Sequence, residues 1–205
     1  MESNLRKGDE KGEKEIGKFL DLYFYPNYTI NLQRIDNKEL QIRGVDTLFS
    51  FNDKDIICDE KVALNYANKP LNTFAFELLF INRGGKTNIG WFLDKKKLTT
   101  HYLCGWIIKS DVDKNISCED VRQLEVGLIS RKKLKSYFES IGWSEEKLSV
   151  KADKLNNNLQ EYGGDMKVNG YRFHKSPQFV EAPVNLIVSK DILKTVSDGW
   201  WMIEN

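Results

Sequence analysis

Cysteine, histidine and proline are scarce in this chain of 205 residues, and neither sign of charge prevails. The three cysteines, Cys58, Cys104 and Cys118, include no CxxC pair. An odd, scattered set argues against a disulfide framework or a zinc knuckle and suits a reducing compartment. The two histidines, His101 and His174, lack metal-ligand spacing, so core or surface roles are their default. No run approaches the roughly 18 apolar residues of a membrane-spanning helix, and the opening MESNLRKGDEKGEKE has no apolar signal segment. A cytoplasmic protein with no membrane partner is expected. Net charge is +1, from 31 basic and 30 acidic residues, so a case for nucleic acid has to rest on local patches.

What is present is enough apolar matter for a core: 40% hydrophobic and 12% aromatic residues. After a polar leader over 1–11, Ile16, Leu20, Tyr23 and Phe24 recur at helical spacing with Phe19 on the flank, and Pro26 supplies a stop. Alternation predicts strands over 28–35, 45–51 and 56–64, the last two joined by the tight turn NDKD. Phe74, Phe76, Leu78 and Phe80 alternate within 71–82, which favours a strand over a buried helix. NIGWFLD (88–94) and HYLCGWIIKSD (101–111) read as further strands. Ser130 caps a helix whose Leu134, Tyr137, Phe138 and Ile141 share a face, and Ser144 opens another that Gly163 and Gly164 close. PVNLIVS, a short helix from Ser189 and the aromatic end GWWMI complete the chain. The order predicts a single α/β (α+β) domain over 12–205, with a central mixed sheet flanked by helices. Its core covers about 12–110, and a mainly helical C-terminal extension covers about 119–205.

The charges inside the second and third strands break the local rule. Asp46 opens one, and Asp59, Glu60 and Lys61 interrupt an apolar run in the other, although strand interiors disfavour all three residue types. Side chains alternate, so Asp59 and Lys61 share one face and Glu60 takes the opposite one. A hairpin across NDKD brings Asp46 toward that cluster. Two carboxylates suit Mg²⁺, which takes one or two protein carboxylates with substrate phosphate and water, and a neighbouring ammonium stabilises developing phosphate charge. At 100° per residue, Glu13 borders the apolar stripe of the first helix while Glu15 points largely to solvent. Taken alone, Glu13 is an ordinary helix-start acid favoured by the macrodipole.

Gly12-Glu13 opening a helix, then Gly44-Val45-Asp46, then Asp59-Glu60-Lys61 in a strand, resembles the PD-(D/E)xK nuclease superfamily of restriction endonucleases, junction resolvases and repair nucleases. The resemblance covers about residues 12–64. Val45 stands where the motif has proline, and the family's minimal core has a helix where 71–82 favours a strand. It implies a restriction-endonuclease-like core and a metal-dependent deoxyribonuclease. Asp46, Asp59 and the backbone carbonyl of Glu60 would hold Mg²⁺, with Mn²⁺ as a substitute, Lys61 would assist the attacking water, and Glu13 would support the site. By analogy with members that cut two strands, it also implies a homodimer. DNA is the expected partner. Lys95, Lys96 and Lys97, and Arg131, Lys132 and Lys133 beside Lys135, are the basic groups available for its backbone, though such runs are commonly solvated faces. Glu77 would join the acids only if its strand adjoined the third. Arg83-Gly-Gly-Lys86 matches no phosphate-binding loop and suits a hairpin turn. Trp200 and Trp201 suit capping the core. The alternative to an enzyme is a catalytically silent nuclease-like fold that binds nucleic acid or a protein.

Overall fold

The computed structural model describes residues 2–82, 84–158, 166–177 and 181–205. In chain order the elements are α1 (Glu2–Tyr23), α2 (Tyr25–Tyr28), β1 (Ile30–Arg34), α3 (Lys38–Ile42), β2 (Thr47–Phe51), β3 (Lys54–Val62), β4 (Thr73–Ile81), β5 (Thr87–Ile89), β6 (His101–Ser110), β7 (Val121–Ser130), α4 (Arg131–Ser140), α5 (Glu145–Asn156), α6 (Met166–Asn169), β8 (Tyr171–Lys175), β9 (Val184–Ser189), α7 (Lys190–Val196) and β10 (Ser197–Glu204). The chain is mixed α/β. It divides into two compact units, one of residues 1–71, 98–131 and 197–205, the other of residues 72–97 and 132–196.

The first unit holds a six-stranded mixed sheet in the order β1-β2-β3-β6-β7-β10. Among the described residues of this sheet, only β3 and β6 run parallel. The β2–β3 hairpin closes across Asn52 and Asp53, both at positive φ (47° and 58°), with Phe51 paired to Lys54. Two left-handed residues in a two-residue loop match the right-handed strand twist, and Asn and Asp tolerate that conformation. The alternation of β3 puts Cys58 and Glu60 on one face, and α1 packs there. Ile16, Phe19 and Leu20 of the helix, with Phe24 and Tyr25 beyond it, form one buried cluster with Cys58, Leu103, Leu124, Val126, Leu128 and Ile203. Each large side chain fully buried this way contributes about 2 kcal/mol. Gly12, also buried, lets the helix approach Leu64 closely, since a Cβ there would lie 3.0 Å from Leu64 Cδ1. The middle of the helix thereby lies near the end of β3.

β7 is a ten-residue strand that the sequence pattern does not announce. Leu124, Val126 and Leu128 alternate inward, but Glu125 and Gly127 interrupt the pattern on the other face. Both interruptions are explained by β10. Trp200 Nε1 donates to Glu125 Oε1 (2.8 Å), and the Trp200 ring lies where a Cβ on Gly127 would come within 2.5 Å. The aromatic end is therefore a paired strand, with Trp200 stacked on Trp106 at 5.3 Å.

The second unit holds a four-stranded antiparallel sheet, β5-β4-β9-β8, with α5 packed on β4, β8 and β9. Residues 73–81 are the strand that their alternation predicts. Of 88–94, only the first two residues belong to a strand. From residue 119 onward the described residues hold four strands beside four helices. Where the family resemblance implies a helix after β3, the first unit has a short 3₁₀ turn, Leu64–Tyr66. Arg83 and the Gly163-Gly164 stop lie outside the described residues.

Candidate active site

β3 begins with an apolar stretch that fixes its register against β2, with Thr47 opposite Cys58. That register sets Asp46, just before β2, beside Asp59 and Glu60. Asp46 N donates to Cys58 O (2.9 Å), and the Asp46 carboxylate Oδ2 accepts from the backbone N–H of Glu60 (2.8 Å). Asp59 is buried, its side chain 3% exposed, and its Oδ1 accepts a short hydrogen bond from Lys61 Nζ. Lys61 Nζ also lies 3.4 Å from the Glu60 carbonyl oxygen, which places that carbonyl at the same cluster. The hairpin thus joins Asp46, Asp59 and Lys61.

The charges interact strongly. Burial first, and then the Asp59 carboxylate, push the Asp46 carboxyl up to about 7, against the pull of Lys61 and the Glu60 N–H. Two acids that resist ionising together seek a cation. Burial works against the charged form of Lys61, but Asp59, Asp46 and the hydrogen bond to Asp59 outweigh it and hold the ammonium above its ordinary range. The charge of Glu13 adds the smallest of these pulls. Glu13 itself is exposed at the middle of α1, which begins at Glu2 rather than at the expected Gly12-Glu13.

Glu15 does not point to solvent. It is half-buried, accepts from Cys118 N (3.1 Å) and pairs with Lys18 (2.7 Å). The turn that carries Cys118 packs against this flank of α1, which the apolar stripe alone does not reveal.

Glu60 sends its carboxylate to the opposite face, away from Asp59. There Tyr25 donates its hydroxyl to Oε1, and Arg34 donates Nη1 to Oε2 and Nη2 to Oε1, both at 3.1 Å. Thr47, 3.1 Å from the Tyr25 oxygen, is left to donate to it. Arg34 also clasps Asp21 at 2.6 Å and the Gly17 carbonyl at 3.2 Å. The acid that looked misplaced in an apolar strand is a paired structural charge, and sequence alone could not supply its partners from α2 and β1. Only its backbone carbonyl belongs to the candidate site.

β6 extends the face that carries the cluster. Tyr102 pairs with Asp59 and Cys104 with Lys61 in parallel register, and both are buried. Burial raises the Tyr102 phenol and the Cys104 thiol above their ordinary ranges, so both stay protonated. Arg131 charge acts on the Tyr102 hydroxyl as well. Glu77 lies on β4, in the other sheet, whereas β3 adjoins β2 and β6.

The basic residues fall into separate places. Lys95 and Lys96 are exposed and Lys97 half-buried in a turn where Asp94 accepts from Lys96 N at 2.9 Å. Lys132 and Lys133 are exposed on the first turn of α4, while Arg131 is half-buried with its backbone N–H on Thr100 O at 2.9 Å. His101 is engaged by Asp198 at 2.8 Å and Thr100 at 3.0 Å, and His174 sits half-buried on β8.

Among the described residues no group of three or more His, Cys, Asp or Glu side chains is arranged to hold a metal ion. The donors at the cluster, two carboxylates and a carbonyl, still fit a hard divalent cation that keeps much of its own water. Among the described residues no helix is long and apolar enough to cross a membrane. Neither a protein-family model, a curated protein nor a solved structure matches the chain.

Proposed function

We propose that the chain is a metal-dependent endonuclease that hydrolyses phosphodiester bonds in DNA, built like the PD-(D/E)xK nucleases that its motif resembles. The observation that carries this is the convergence of Asp46, Asp59 and Lys61 at the end of the β2–β3 hairpin, with the Glu60 side chain turned away and its carbonyl turned in. Asp46, Asp59 and the Glu60 carbonyl would hold Mg²⁺ or Mn²⁺. The cation supplies charge neutralisation at the reacting phosphate. Lys61, held protonated by the two acids, acts as a charged hydrogen-bond donor toward the attacking water and the developing phosphate charge. Tyr102 and Cys104, kept neutral, wall the cluster without adding charge. Glu13, at the middle of α1, adds a weaker pull that favours the ammonium.

One observation favours a second reading. Asp59 is almost fully buried and already neutralised by Lys61, as in a structural ion pair of a catalytically silent binding fold. Incubation of supercoiled plasmid with the chain separates the two. Nicking that needs Mg²⁺ and stops with EDTA supports the nuclease, and intact plasmid at high enzyme excess supports the silent fold.

A further inference from the structure

The near-neutral total charge hides a division between the two units. The first unit has fifteen Lys and Arg against twenty Asp and Glu, a net charge of −5, whereas the second has sixteen against ten, a net charge of +6. The acids of the candidate active site account for only part of the deficit in the first unit. Part of the excess in the second is gathered on one helix.

In α5, the row Leu148, Ala152 and Leu155 is buried against the sheet. The row one residue earlier, Lys147, Lys151 and Lys154, has the same spacing and is entirely basic. Its span along the axis is about 10 Å. The acids of the helix lie elsewhere: Glu145 pairs with Lys135 at 3.0 Å, and Glu146 and Asp153 are exposed on other rows. β8, the outer strand of its sheet, lies along the lysine flank. Lys151 Nζ sits 5.9 Å from the centre of the Phe173 ring, and Lys175 Nζ donates to Asn156 O (2.7 Å) at the end of the helix. Lys147 is anchored by donating to Gly142 O at 3.0 Å.

We propose that the second unit is the nucleic-acid-binding part of the chain, holding a phosphate backbone along the lysine row of α5 and the adjoining edge strand β8. This rests on the nuclease reading for its choice of polyanion. A row of lysines presents point charges rather than the planar fork of arginine, so it contacts phosphates without selecting bases. The half-buried stem of Lys151 over the Phe173 ring and the bond of Lys147 to Gly142 O restrain two of the three lysines, which lowers the entropy lost when a backbone lies on the row.

The test is binding of the full chain to a short, labelled DNA duplex of mixed sequence in EDTA, followed by fluorescence anisotropy across a salt titration. The combined substitution Lys147→Glu, Lys151→Glu, Lys154→Glu weakens binding at least about tenfold and lowers the salt slope by about 3, since each neutralised phosphate contributes about 0.9. A matched Lys→Gln set, which keeps an extended stem over Phe173 at position 151, gives the same direction with a smaller loss and controls for misfolding. Lys38→Glu with Lys54→Glu, both exposed in the first unit, leaves affinity within about twofold. Unchanged affinity and slope in both lysine-row variants overturn the proposal, as does wild-type capture by anionic vesicles with no DNA binding. Failure of the nuclease reading looks different: the wild type binds through the lysine row yet never cuts with Mg²⁺. Cutting by a wild type whose row variants bind normally defeats the present proposal alone.

Discussion

Replacing Asp46 by asparagine removes a charge that the metal-free fold resists. The carboxyl is pushed from an ordinary value of 3.8 to about 7, chiefly by burial and then by Asp59. Native protein therefore keeps a proton that the unfolded chain has released, and stability is lost as pH rises toward the native value. At about 1.4 kcal/mol per unit the whole displacement corresponds to about 4 kcal/mol, and the partly exposed carboxyl makes about 2–4 kcal/mol the working range. Asparagine keeps an amide oxygen to accept from the Glu60 N–H, as the Asp46 carboxylate does at 2.8 Å, so that hydrogen bond survives. Urea denaturation of wild type and Asp46→Asn in EDTA, at about pH 5 and about pH 8, isolates the effect of the cluster because groups away from it titrate alike in both proteins. The stability advantage of the variant grows by about 2–3 kcal/mol between the two conditions. An advantage that stays constant within about 0.5 kcal/mol refutes the claim that Asp46 and Asp59 are held together as competing charges. Saturating Mg²⁺ at the higher pH narrows the gap by stabilising the wild type.

Arg34→Ala leaves the Glu60 carboxylate, 12% exposed, with the Tyr25 hydroxyl alone, and costs about 2–4 kcal/mol in denaturant titration while the hairpin cluster stays formed. Glu13→Gln slows plasmid nicking with no change in melting temperature, whereas Glu15→Gln lowers the melting temperature by loosening the Cys118 turn and leaves the rate alone. Equal effects of the two on rate contradict the placement of Glu13 near Lys61. Gly127→Ala forces Trp200 off Trp106 and destabilises by about 1–3 kcal/mol, with loss of the near-ultraviolet circular dichroism of the stacked pair.

The parts of this architecture that are legible in the sequence are the local ones. Alternation and the NDKD turn mark the β2–β3 hairpin, and the hairpin by itself carries Asp46 to Asp59 and Lys61. Alternation also marks β4, and serine caps mark the start of α5. What sequence hides is non-local. Glu60 makes sense only through Arg34 and Tyr25, which lie 26 and 35 residues away. Glu15 is turned inward by a backbone N–H 103 residues later. β7 looks weak as a strand because Glu125 and Gly127 serve Trp200 of β10 rather than the core. The parallel pairing of β3 with β6 spans a crossover, residues 63–100, that no local periodicity encodes. The basic second unit is equally invisible in a total charge of +1, because its residues come from two separated stretches of chain.

The most direct measurement of the central claim is single-turnover cleavage of a labelled DNA duplex by wild type, Asp46→Asn, Asp59→Asn and the double variant, at saturating protein with Mg²⁺. The account predicts cutting by the wild type that EDTA abolishes, a loss of about 10²-fold or more in each single variant, and no further loss in the double variant because both acids serve one cation. A double variant that cuts at the wild-type rate contradicts it.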